Sequence, residues 1–263
     1  MFFSYPVTVL IAVTAIVVAI IDLKQSVAYY YDFVGVMVVI AGTIAVSVAT
    51  LPWKHFSEMM EGFKQLLAPR YPDTKQIASD ALNLVRGNQE GFQTTGLPLE
   101  VLKDGVELLQ LGLKTEEIEN ILRERMFQYL DIRSGIANSI RSLAKYPPAF
   151  GLLGTVLGLV SLMRAVSAGA GSEEVGVRMA VALVATLYGI VTANVLVNPA
   201  GEALSKYAAN EAKAAEIALQ GVLLASDQTS ILVAQEALNS YLPRGSRLSV
   251  VGGGGGTSAK EAA

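Results

Sequence analysis

The chain has 263 residues, 52% of them hydrophobic and 16% charged, with a formal net charge of −3. That balance is too apolar for an ordinary water-soluble domain and fits a protein built into a membrane. Cysteine is absent and His55 is the one histidine, which excludes a disulfide framework, a cysteine nucleophile and a Cys/His zinc centre.

The uncharged run 5–21 is about long enough to cross a bilayer. No positive charge precedes it and no small-residue cleavage site follows, so it is expected to stay as a first span and not to be removed as a secretory signal. Asp22, Lys24 and Asp32 bracket a short link whose tyrosines, Tyr29 to Tyr31, suit a water interface. A second span is expected over 33–51, with Gly35 and Gly42 available for close helix contact. Trp53 then reads as an interface anchor and His55 as a surface residue.

After this first membrane segment, 1–52, the stretch 53–146 is polar and amphipathic, and its spacing predicts only helices. The first covers 55–68; a second carries Ile77, Ala81, Leu84 and Val85 and ends at Gly87. A third spans 98–111, with proline in its first turn and Gly112 beyond its end. Thr115 is expected to cap a fourth, whose Leu122, Met126, Tyr129, Ile136, Ile140 and Leu143 continue towards Pro147. Twelve of the twenty Lys and Arg residues fall in this stretch, so the positive-inside rule puts it, and both termini with it, in the cytoplasm. These basic residues form no tract suited to nucleic acid.

The segment 147–201 supplies two more spans. The third is uncharged from Pro147 to Met163 and spaces glycines at 151, 154 and 158. Glycine lets helix backbones approach closely, and Thr155 is the lone hydroxyl of its first turns. A small-residue acidic link, 167–176, leads to a fourth span over 179–201 that holds Thr186, Tyr188, Gly189 and Pro199. Helical pattern continues over 202–248, with a last short helix over 229–242 stopped by Pro243, and 249–263, including Gly252 to Gly256, reads as a disordered tail. The fold class is therefore all-α: four transmembrane helices with a helical cytoplasmic domain.

No span carries an acidic residue in its interior; Asp22 and Glu202 stand at edges. Ion conduction normally relies on an intramembrane ionisable group, so this chain needs a companion carboxylate if it conducts. Nor does any span or loop gather an acid, a base and a nucleophile, which argues against an enzyme with catalytic residues or a bound cofactor.

The sequence from Pro147 to Val160, the segment Val181 to Gly189, and Asn198-Pro199-Ala200 together resemble the MotA/PomA family of flagellar motor stator proteins, within the MotA/TolQ/ExbB superfamily. Gly105 to Leu109 and the closing Tyr241-Leu242-Pro243 are similar to that family as well. The resemblance implies a homopentamer in the bacterial inner membrane around a MotB/PomB-like single-span partner that supplies an aspartate, working on a FliG-like rotor protein. It also implies an ion route past Thr155 and Thr186, with Ala185 and Tyr188 beside it, and coupling through Pro148 and Pro199. Gly151, Gly154, Gly158 and Gly189 serve helix packing. Sodium-driven relatives tend to have Thr-Thr where this chain has Ala185-Thr186, and one fewer hydroxyl favours H+ over Na+. For the rotor interface Arg86 is suitably placed, but Gln93-Thr94-Thr95-Gly96 lacks the expected glutamate, leaving Glu90 and Glu100 as substitutes. The alternatives are a TolQ/ExbB-like proton-driven energiser, the stator of a non-flagellar motility system, and a scaffold that conducts nothing.

Overall fold

Every regular element among residues 5–22, 30–50, 62, 64, 66 and 71–249, which a computed structural model describes, is helical. Trp53, His55, Lys24, most of the helix expected over 55–68 and the glycine-rich tail lie outside the described residues. The helices are α1 Tyr5–Asp22, α2 Phe33–Thr50, α3 Thr74–Val85, α4 Leu97–Gln110, α5 Thr115–Leu143, α6 Tyr146–Ser167, α7 Ser172–Val191, a π-helical turn Thr192–Val197, α8 Asn198–Ser226 and α9 Ile231–Ser240. Two compact units divide the chain, residues 1–70 with 131–208 and residues 71–130 with 209–263.

The first unit holds the membrane helices. Among the described residues four helical stretches are long and apolar enough to cross a bilayer, and α1 and α2 match the expected first two spans to within a residue. Ile136, Ala137, Ile140 and Leu143 of α5 bury themselves against Ala200 and Leu204 of α8. Gly201 makes that possible, because a Cβ there would lie 3.1 Å from the Arg141 backbone nitrogen. Two details differ from expectation. The link between the third and fourth spans is only 168–171, because Gly169 at φ 85° reverses the chain within one turn. Glu173 and Glu174 consequently form the first turn of α7, where acidic side chains suit the helix dipole.

The second difference concerns Pro199. The proline neither ends the helix nor leaves it regular. The Asn198 N–H bonds the carbonyl of Ala193, five residues back, closing the π turn immediately before the ring. Proline cannot donate to the carbonyl four residues behind it and would press on it, and one extra residue in the turn accommodates both problems. Pro147 and Pro148, by contrast, occupy the first turn of α6, where a missing N–H costs nothing.

The second unit packs α3, α4 and α9 with parts of α5 and α8. Ile77, Leu102, Ile118, Leu122, Leu219 and Leu238 are its largest fully buried side chains. α8 and α3 touch at Gly221, whose Cβ would sit 2.4 Å from the Ala81 Cβ and 3.0 Å from its Cα. Gly221→Val should therefore destabilise this unit by about 1–3 kcal/mol, read as a lower thermal midpoint of the purified protein.

Asp80, only 3% exposed, holds the loop after α3. Its carboxylate accepts from the backbone N–H groups of Gln93 at 2.9 Å and Thr94 at 2.8 Å, and from Gln76 Nε2 at 3.1 Å. Asp80→Ala would leave those amides without their acceptor, costing about 1–3 kcal/mol, and hydrogen exchange at Gln93 and Thr94 should accelerate. Thr115 does not cap α5 as expected. It is the first helical residue, and its hydroxyl bonds Asp227 at 2.7 Å and Ser226 at 2.8 Å, while Glu117 accepts from the Lys114 N–H at 3.0 Å. On the surface, hydrogen bonds from Arg123 to Glu119 and Glu216 hold the guanidinium pKa above its usual value. Exposed pairs of this kind contribute on the order of 0.5 kcal/mol.

Candidate functional site

α6 and α7 run antiparallel, Gly158 facing Ala182 and Gly151 facing Ala185 to Gly189. Their backbones are too close for side chains at the crossing. A Cβ on Gly158 would lie 2.5 Å from that of Ala182, and one on Gly151 would lie 2.9 Å from the Ala185 carbonyl oxygen. One on Gly189 would lie 2.5 Å from the Pro147 carbonyl oxygen and 3.0 Å from Pro148 Cα. Lipid supplies no hydrophobic drive between helices, so this contact rests on dispersion and on the few hydrogen bonds that cross it.

Most of those hydrogen bonds come from two threonines, and Arg178 on α7 adds one to Ser161 on α6. The Thr155 and Thr186 hydroxyls bond each other between the helices. Thr155 also reaches the carbonyls of Ala182 at 3.0 Å and Gly151 at 3.1 Å, and Thr186 reaches Gly151 at 3.3 Å. Two hydroxyl and two carbonyl oxygens thus converge at one half-buried point. Such a group can pass a proton along by hydroxyl rotation, or lend lone pairs to a cation, but carries no charge of its own. A carboxylate would have to come from elsewhere.

Ala185 is 2% exposed and packs between two glycines. A Cβ on Gly154 would meet its Cβ at 2.8 Å and one on Gly35 would meet it at 3.3 Å. The small side chain at 185 therefore has a packing reason besides any ionic one. Tyr188 stands apart from the threonines. Its hydroxyl donates to the Tyr30 carbonyl and accepts from the Asp32 N–H at 3.2 Å, tying α7 to the start of α2. Pro148 abuts Gly189, while Pro199 lies beyond the π turn.

Asp32 is what sequence reasoning missed. It caps α2, its carboxylate accepting from the N–H groups of Gly35 at 2.7 Å and Val34 at 3.2 Å. It also borders a cavity of about 300 Å³ walled by Gly154, Gly158 and Ala185. Arg178, which also lines the cavity, bonds Ser161 and Glu174, each at 2.8 Å. An aspartate directly before an apolar run is a cap signal, and could have been read as one.

The remaining candidates lie in the second unit. Arg86 follows α3 and bonds Asn83 at 3.4 Å, Glu90 is in the turn beyond Gly87, and Glu100 is in the first turn of α4. All three are exposed, and none forms an ion pair among the described residues.

Helices this apolar, joined by a glycine face and crossed by a hydroxyl pair, define a multi-span helical membrane protein. Residues 94–217 match the model of the MotA/TolQ/ExbB proton channel family. Motility protein A of Bacillus subtilis is 28% identical over 227 residues, 81% of this chain and 81% of that protein. Two solved structures share the fold: MotAB of C. jejuni, with a TM-score of 0.84, 17% identity and coverage of 95% of this chain and 100% of that one, and the flagellar MotAB stator complex of Bacillus subtilis, with 0.81, 24%, 92% and 96%. Over residues 94–217, a little under half of its length, the chain is similar to the MotA/TolQ/ExbB proton channel family.

Proposed function

We propose that this chain is a stator subunit of an ion-driven rotary motor, working as a homopentamer with a MotB-like single-span partner and delivering torque to the flagellar rotor. The observation that carries the proposal is the convergence of Thr155, Thr186 and two carbonyls on one point between glycine-packed helices, with no carboxylate in the interior of any spanning helix. Asp32, which borders the cavity walled by Gly154 and Ala185, is committed to capping α2. A partner aspartate facing the hydroxyl pair would supply the missing titrating group.

An ion crossing the membrane releases about 2.3 kcal/mol per charge per 100 mV. Neutralising the partner carboxylate beside Thr155 and Thr186 would let that energy turn the ring by one subunit. In this reading Pro148, against Gly189, and Pro199, behind the π turn, couple the ion step to movement, and Arg86, Glu90 and Glu100 meet the rotor. The long basic loop faces the cytoplasm in this scheme, with both termini, in the bacterial inner membrane. A proton is the favoured ion, because two hydroxyls form a relay where Ala185 offers no third oxygen.

Cells lacking the chain should assemble flagella and fail to swim. In sodium-free medium the complemented cells should swim, and a protonophore should stop them at once. Unimpaired swimming without the chain would refute the role, and speed that follows sodium would refute the ion.

A further inference from the structure

Two charges at the Ser167 end of the α6–α7 pair bond to nothing among the described residues. Arg178 engages Glu174 at 2.8 Å, but Arg164 on α6 and Glu173 on α7 have no such partner. Their positions around the helices are related. At about 100° per residue Arg164 lies about 180° around α6 from Thr155, which touches α7, and Glu173 lies about 180° around α7 from Ala182, which touches α6. Each charge is therefore on the flank facing away from the other helix. The Gly158–Ala182 register puts Arg164 level with residue 176, about 5 Å along the axis from Glu173, which two long side chains can span.

Arg164 also ends an open groove of about 520 Å³ along α6, lined by Val156, Leu159, Val160, Met163 and Ser167. A helix pair with a cation on one flank and an anion on the other is complementary to a second copy placed head to tail. A two-fold contact would bring like charges together, whereas a repeated head-to-tail contact forms a ring when its rotation closes. We propose that α7 of a second copy fills this groove, with Arg164 of each copy paired to Glu173 of the next around the ring. The proposal rests on the homo-oligomer inferred above and names its contact.

The chain has no cysteine, so Arg164→Cys combined with Glu173→Cys introduces the only two thiols. Membranes holding this variant with its partner subunit, treated with a short bifunctional maleimide, should give a ladder of covalent multimers of this chain that neither single variant gives. Arg164→Glu should cut swimming speed several-fold, and adding Glu173→Arg should restore most of it. An intact ring by native mass with only monomeric product would overturn the contact and leave the ring. Crosslinking to the partner subunit instead, or no rescue by the reversed pair, as a lipid-phosphate anchor for Arg164 would give, also overturns it. A single copy by native mass overturns the ring and the contact together.

Discussion

Gly189→Val is expected to remove the protein from the membrane as an assembled species and to abolish swimming. The nearest atoms to the new Cβ are the Pro147 carbonyl oxygen at 2.5 Å and Pro148 Cα at 3.0 Å, both backbone and both held in the first turn of α6. No rotamer change relieves such contacts, so α6 and α7 must separate at that end. Overpacking of this kind typically costs about 1–3 kcal/mol, and rigid backbone contacts put this site at or above the upper end. Separation would also stretch the Thr155–Thr186 bond. Gly154→Ala meets only the Ala185 methyl at 2.8 Å and should be much milder. Membrane level and native mass of the two variants, compared side by side, check the ranking; equal assembly would show that the helix contact does not govern the structure.

The second large effect is expected from Thr155→Val combined with Thr186→Val. Valine matches threonine in shape, so the glycine face should stay closed. Loss of the crossing hydrogen bonds should cost about 0.5–1.5 kcal/mol each. Ion flux, by contrast, should fall at least about tenfold, equivalent to about 1.4 kcal/mol on the barrier, because no hydroxyl remains at the convergence point. Thr155→Ser keeps the oxygen and should retain most of the flux. A non-conducting scaffold would give unchanged swimming in both variants, so normal swimming of the double valine variant would reject the ion-route assignment.

Much of this arrangement was legible in the chain. Span lengths, the glycine spacing at 151, 154 and 158, and the turns at Gly87 and Gly112 are local signals, and local physics decides them: bilayer thickness, close backbone approach and positive φ, at 92° and 71° for the two turns. What escaped depends on partners distant in sequence. Asp32 looks like one charge in an interfacial link until α2 starts on it and Gly35 packs against Ala185. The π turn before Pro199 has no signature of its own, since a proline in a helix can also end or bend it. Thr115 carried a capping signal, but Asp227 offered its hydroxyl a stronger partner. Ala185 is the most instructive residue, because an absent hydroxyl suggested ion chemistry while the structure supplies a steric reason for the same choice. A threonine there would press on Gly35 and Gly154, so Ala185→Thr bears on packing before it bears on selectivity.

The decisive measurement is proton flux into liposomes holding the purified chain, alone and then together with the proposed aspartate-bearing partner. Wall subunits without a titrating acid should leave the vesicles tight when alone, and proton entry should begin only with the partner present. Flux through the chain by itself would contradict the account.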